Sequence, residues 1–100
     1  MPNFQMSEKD LLQAVRDMAQ VYGWMQYHTW RSIHSPAGFP DLVLVNITQH
    51  RIVYAELKTM KGIVTPAQQA WLDALRACGQ ETYLWRPMEW FDGTIEDVLK

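Results

Sequence analysis

The 100-residue sequence has one cysteine, Cys78, so an intrachain disulfide is excluded, and nothing resembles a Cys/His zinc array. It lacks any apolar run near the ~20 residues that span a membrane, and no signal-peptide pattern precedes Ser7. The expectation is a cytoplasmic protein in a reducing compartment, with no membrane partner. Repeats, low-complexity tracts and linkers are absent, and the length is that of one domain, so residues 1–100 are expected to form a single unit. An excess of basic charge is missing as well. The formal net charge of −2 argues against a generic polybasic nucleic-acid binder.

What is present is apolar material and an uneven charge distribution. Hydrophobic residues make up 48% of the chain and aromatics 12%, five of them Trp, enough to fill one modest core. Between His28 and Lys61, Arg31, Arg51, Lys58, Lys61 and three histidines face only Asp41 and Glu56. If those two acids hold metal, the middle of the chain is positive toward a ligand. The tail after Pro87 carries Glu89, Asp92, Glu96 and Asp97 against Lys100 alone, and is expected to face away from a polyanion.

The periodicities place elements along the chain. Ser7 with Asp10 resembles a helix N-cap, and Leu11, Leu12, Val15, Met18, Ala19 and Tyr22 recur at helical spacing until Gly23. Glu8 lies on the same stripe, either as a first-turn acid favoured by the helix dipole or as a group aimed at a site. Trp24 to Trp30 alternates as a first strand, with Trp24, His28 and Trp30 on one face. In the loop that follows, Arg31, His34 and Ser35 either contact phosphate oxygens or are simply solvated.

Residues 42–45 and 52–58 form two apolar runs joined by Thr48-Gln49-His50-Arg51, which predicts an antiparallel hairpin. Asp41 opens the first strand, and Glu56 and Lys58 share a face near the end of the second, so the pairing brings Asp41 beside Glu56. Two adjacent carboxylates repel unless a proton or a divalent cation intervenes. Hard oxygen ligands suit Mg²⁺ or Mn²⁺.

Lys61, in the loop after the hairpin, either clamps a substrate backbone or is exposed. Thr65-Pro66 opens a helix with Ala67, Ala70, Trp71, Ala74, Leu75 and Cys78 expected inward, which makes Cys78 a buried structural thiol. Gln68 in its first turn reads by spacing alone as structural. Glu81 to Arg86 is a further strand halted by Pro87. A short helix from Thr94 to Lys100, capped by Thr94, closes the sequence.

Pro40-Asp41 followed by Glu56-Leu57-Lys58 resembles the PD-(D/E)xK nuclease superfamily. With Gly38-Phe39-Pro40-Asp41-Leu42, Lys58-Thr59 and Thr65-Pro66-Ala67-Gln68 included, the chain resembles the VRR-NUC branch, whose small stand-alone members occur in phages and bacteria. The resemblance implies an α/β fold with a restriction-endonuclease-like core, a mixed β-sheet flanked by helices. It implies that Asp41, Glu56 and the Leu57 backbone carbonyl bind the metal, with Glu8 contributing directly or through water. Lys58 would orient or deprotonate the attacking water or stabilise charge on the phosphate, and Gln68 would belong to the catalytic motif.

The reaction implied is metal-dependent hydrolysis of a phosphodiester in DNA. Likeness in size and organisation to Holliday-junction resolvases implies a homodimer acting on a four-way junction. Flap or branched-DNA cutting, duplex nicking, RNA cleavage and a non-catalytic nucleic-acid-binding module are the alternatives.

Overall fold

A computed structural model of the chain describes residues 5–30 and 34–100. Its elements are α1 (Glu8–Val21), β1 (Met25–His28), β2 (Leu42–Asn46), β3 (Arg51–Leu57), α2 (Pro66–Ala77), β4 (Glu81–Trp85), α3 (Pro87–Phe91) and α4 (Thr94–Leu99). The four strands form one sheet in the order β1-β2-β3-β4. The first three are antiparallel neighbours, while β4 joins β3 in parallel after the α2 crossover. The architecture is the mixed α/β sheet with flanking helices that the sequence predicts.

The α1 stripe behaves as its spacing requires. Ser7 Oγ accepts from the Asp10 amide at 3.0 Å, and Gly23, at φ 82°, lets the chain leave the helix. Leu11, Val15 and Ala19 are fully buried against Leu42, Leu44, Val53, Ala55, Leu57 and Trp85, and α4 adds Ile95 and Leu99. Strand alternation turns Tyr54 and Glu56 to the opposite face of β3. There Phe39 meets Tyr54 at 6.3 Å and Trp71 of α2 at 5.1 Å, both edge to face, so the chain leading into β2 also locates α2.

The inward face of α2 differs from the expected one. Leu72 is buried and Trp71 and Leu75 are half-buried, whereas Ala67, Ala70, Ala74 and Cys78 face outward. The physical reason is size: alanines repeat at helical spacing but gain little from burial, so the bulky side chains set the helix rotation. The Cys78 thiol is thus exposed rather than structural. It is expected to react with a thiol reagent in native buffer as fast as it does in denaturant, within about a factor of ten, as followed by absorbance of the released thiolate. Slow labelling that accelerates only on unfolding would contradict this.

The chain after Pro87 also departs from expectation. Pro87 stops β4 but at once becomes the first residue of α3, the position where its missing N–H costs nothing. Helix α4 is entered through Gly93 at φ 86°, with Asp92 Oδ1 accepting from the Thr94 amide at 2.9 Å, so Thr94 is not the cap. Arg51 lies in β3 rather than in the turn, where it pairs with Glu81 at 2.7 Å, donates to the Val98 carbonyl and covers the Trp24 ring. Tyr22 donates to Glu96, and Trp24 Nε1 to the Leu99 carbonyl. Asp92, Glu96 and Asp97 therefore sit toward the C-terminal end of α1, where β3 begins. Glu89, which accepts from the Arg86 amide at 3.1 Å, lies instead at the end of β4 beside Lys58. Asp41, Glu56 and Glu8 lie at the other end of α1.

Candidate active site

The hairpin register creates the site. Leu42 pairs with Ala55, and the next step outward places Asp41 opposite Glu56. Cross-strand partners point to the same face, so the two carboxylates are neighbours by construction. Asp41 is held from two sides: its Oδ2 accepts from the Leu57 amide at 2.8 Å and its carbonyl accepts from the Thr29 amide at 2.9 Å. Pro40, buried just before it and bonded through its carbonyl to the Thr29 hydroxyl at 2.9 Å, fixes the approach of the chain.

Glu56 is 1% exposed, and neither carboxylate oxygen has a hydrogen-bond donor among the described residues. Burial, then the adjacent Asp41, push its carboxyl up to about 9, while Lys58 pulls the other way. Two acceptors side by side can be hydrogen-bonded only if a proton lies between them, and a cation can replace that proton. Glu8 joins from the first turn of α1; burial and then Asp41 raise its carboxyl, and Lys58 lowers it. Glu8, Asp41 and Leu57 line one cleft of about 400 Å³. Among the described residues no three Asp, Glu, His or Cys side chains converge into a ready-made metal cage. Orphaned buried oxygens on Glu56 beside Asp41 nonetheless fit a hard divalent cation whose remaining ligands come from elsewhere.

The other expected residues are spread around this centre. Lys58 is half-buried, follows Glu56 on the same face and is tied through its amide to the Trp85 carbonyl at 3.0 Å. Lys61 is exposed on an adjoining cleft of about 380 Å³ shared with Met6, Ser7 and Thr59. Gln68 is occupied locally: its Oε1 accepts from the Thr65 amide at 2.9 Å while its own amide donates to Thr65 Oγ1, a reciprocal cap of α2. His34 and Ser35 are exposed in the chain before Gly38. Arg31 lies outside the described residues.

Sequence reasoning missed Arg86. Its Nη1 donates to the carbonyls of Thr59 at 2.6 Å and Gly62 at 2.7 Å, with Met60 at 3.4 Å, and so braces the loop between Lys58 and Lys61. Carbonyl contacts made more than twenty residues away leave no local pattern, so no periodicity could have found it. The Arg86→Ala protein is expected to stay folded and to lose on the order of 10² in single-turnover cleavage, the scale of a small misplacement at a reacting centre. Arg86→Lys should restore part of the rate, because all the carbonyl contacts come from the one nitrogen Nη1 and an ammonium, though on a shorter stem, carries three donors. Full activity in both variants would remove the loop-bracing role.

The sequence profile of the VRR-NUC domain matches residues 1–87, and the chain belongs to that family. A solved structure described as a VRR_NUC domain superposes with a TM-score of 0.75 at 18% identity, covering 91% of this chain and 96% of the other. A second, described as a VRR_NUC domain protein, gives 0.67 at 18% identity, covering 94% and 86%. At such identity these matches establish the restriction-endonuclease-like fold. No curated protein matches the sequence. Family membership implies a nuclease of PD-(D/E)xK type, a class that generally uses divalent metals, with DNA as substrate. Among the described residues no helix is long and apolar enough to cross a membrane.

Proposed function

We propose that residues 1–100 form one nuclease domain that hydrolyses phosphodiester bonds in branched DNA with Mg²⁺ or Mn²⁺, and that as a homodimer it resolves four-way junctions. The observation that carries the reading is the buried, donorless Glu56 carboxylate facing Asp41, a pairing that costs stability unless a cation is its purpose. When bound, the cation polarises the phosphate and acidifies a water. Asp41 and Glu56 supply its charged ligands, the Leu57 carbonyl a neutral one, and Glu8 a further carboxylate at the edge of the cleft. Lys58 places a positive charge beside the phosphate, a role that needs no change in its protonation. Gln68 holds the start of α2 in place, and Lys61, with Arg31, His34 and Ser35, belongs to the surface that meets the DNA backbone.

Support for shape-selective cutting comes from the single core that residues 1–100 build, which leaves no separate base-reading module within that span. Two copies related by a twofold axis would present two sites to two strands of a junction. Cleavage of labelled four-way junction, flap, nicked duplex and structured RNA, with and without Mg²⁺, tests the reading, with Asp41→Asn as control because Asn can still accept from the Leu57 amide. Paired cuts in the junction, metal-dependent and absent from the control, are expected, together with a dimer mass in sedimentation. Binding with no metal-dependent cutting of any substrate would make the protein a binding module instead. A preference for flaps or RNA would replace the junction.

A further inference from the structure

The cleft that holds Glu8 and Asp41 has a second wall that hydrolysis does not use. It is built from Leu12 and Lys9 of α1 and from His28 and Trp30 at the end of the edge strand β1. Trp30 is 84% exposed, more than any other large apolar side chain among the described residues. An indole left in water forgoes stabilisation that a small core would readily provide. His28 meets it in a T-shaped contact, centroids 6.2 Å apart and planes at 83°, so at least one face of the indole stays open. Lys9 forms no ion pair or hydrogen bond among the described residues, whereas Arg16, on the same cleft, is committed to Gln26 at 3.1 Å. An open aromatic face, an uncommitted ammonium and two carboxylates of the candidate centre thus share one cleft of about 400 Å³.

We propose that this half of the cleft binds one unpaired nucleobase of the DNA, stacked on Trp30, next to the phosphate that is cut, with Lys9 on a flanking phosphate. The proposal rests on the nuclease reading of Asp41 and Glu56. A base inside a duplex has both faces covered by its neighbours and cannot reach an indole, so the stack selects strands that are melted or branched. Every base has such a face, so the selection is for structure and not for sequence. Lys9 reads only charge, which agrees with a site that measures backbone path.

The test uses the full chain with Ca²⁺ in place of Mg²⁺, and a branched DNA carrying 2-aminopurine at successive positions around the cut site. The parent protein is expected to change the probe's fluorescence sharply at one unpaired position flanking the cut and little elsewhere. Trp30→Ala should remove that signal and weaken binding by about 5- to 100-fold, the range of one base–aromatic stack, while Trp30→Phe keeps most of both. Circular dichroism and thermal melting confirm that these exposed-site variants are folded. Equal affinity of parent and Trp30→Ala, or weakened binding with no position-dependent signal, overturns the stack. Metal-dependent cutting that is indifferent to Trp30 rejects this inference alone, whereas absence of cutting by the parent on every DNA rejects the nuclease reading while the fluorescence result can still be scored.

Discussion

The Glu56→Gln protein is expected to be more stable than the parent without divalent cations and inactive with them. Glu56 is fully enclosed, has no donor, and faces another carboxylate, so in the cation-free protein its charge is opposed by burial and by Asp41. Its folded value of about 9 lies above the ordinary 4.5. A carboxyl raised in this way contributes stability that is fully present below about 4.5 and is lost as pH rises through about 9. The melting temperature of the parent should therefore fall from pH 5 to pH 8 in chelator, and the slope should flatten in Glu56→Gln.

Glutamine keeps the shape and offers an amide donor to Asp41, relieving a buried unsatisfied group by about 1–3 kcal/mol. For a domain of this size each kcal/mol moves the melting temperature by about 4–8 °C. The same change removes a charged cation ligand, and a loss of several kcal/mol of charge stabilisation lowers cleavage by about 10³-fold or more. Calorimetry with and without Mg²⁺, beside a cleavage assay, measures both halves. A variant that melts lower at pH 8 in chelator, or that cuts normally, would show that Glu56 is an ordinary buried residue.

Gly38→Ala is the second change with a large expected effect, on the fold before the chemistry. Gly38 sits at φ 98°, a region that side chains strain to adopt. A methyl group there would lie 2.5 Å from the Ala67 carbonyl carbon, 2.6 Å from its oxygen and 2.8 Å from the Gln68 nitrogen. All three are backbone at the start of α2 and cannot rotate aside. Backbone strain and overpacking together are expected to cost about 2–4 kcal/mol, or roughly 10–30 °C of melting temperature. Gly79→Ala is the control, since it has φ 77° but nothing within 4 Å of the added carbon. A Gly38→Ala protein no less stable than Gly79→Ala would show that α2 does not rest on this glycine. Below its melting point Gly38→Ala should still cut slowly, because Phe39, Pro40 and Asp41 follow directly.

Gly38 also illustrates which parts of the molecule could be read in advance. The hairpin and its acids were legible because alternation and antiparallel pairing are local rules, and they alone place Asp41 beside Glu56. Helix α1 was legible because its stripe is made of large residues. In helix α2 spacing alone misplaces the buried face, because Ala67, Ala70 and Ala74 keep helical spacing without the bulk to enforce burial. Helix α3 leaves no signal of its own, because Pro87 both ends a strand and starts a helix. The packing role of Gly38 and the bracing by Arg86 depend on partners distant in sequence, and only the assembled fold supplies them.

The tail docked on the far end of the sheet has an electrical consequence. Asp92, Glu96 and Asp97 gather near the C-terminus of α1, while Lys9, Lys58 and Lys61 surround its N-terminus, some 20 Å away at 1.5 Å per residue. Glu8, Asp41 and Glu56 offset those lysines, so the molecule becomes polarised along one axis only when a divalent cation is held between Asp41 and Glu56. In the field of an approaching polyanion such a body experiences a torque that turns its cleft forward before contact.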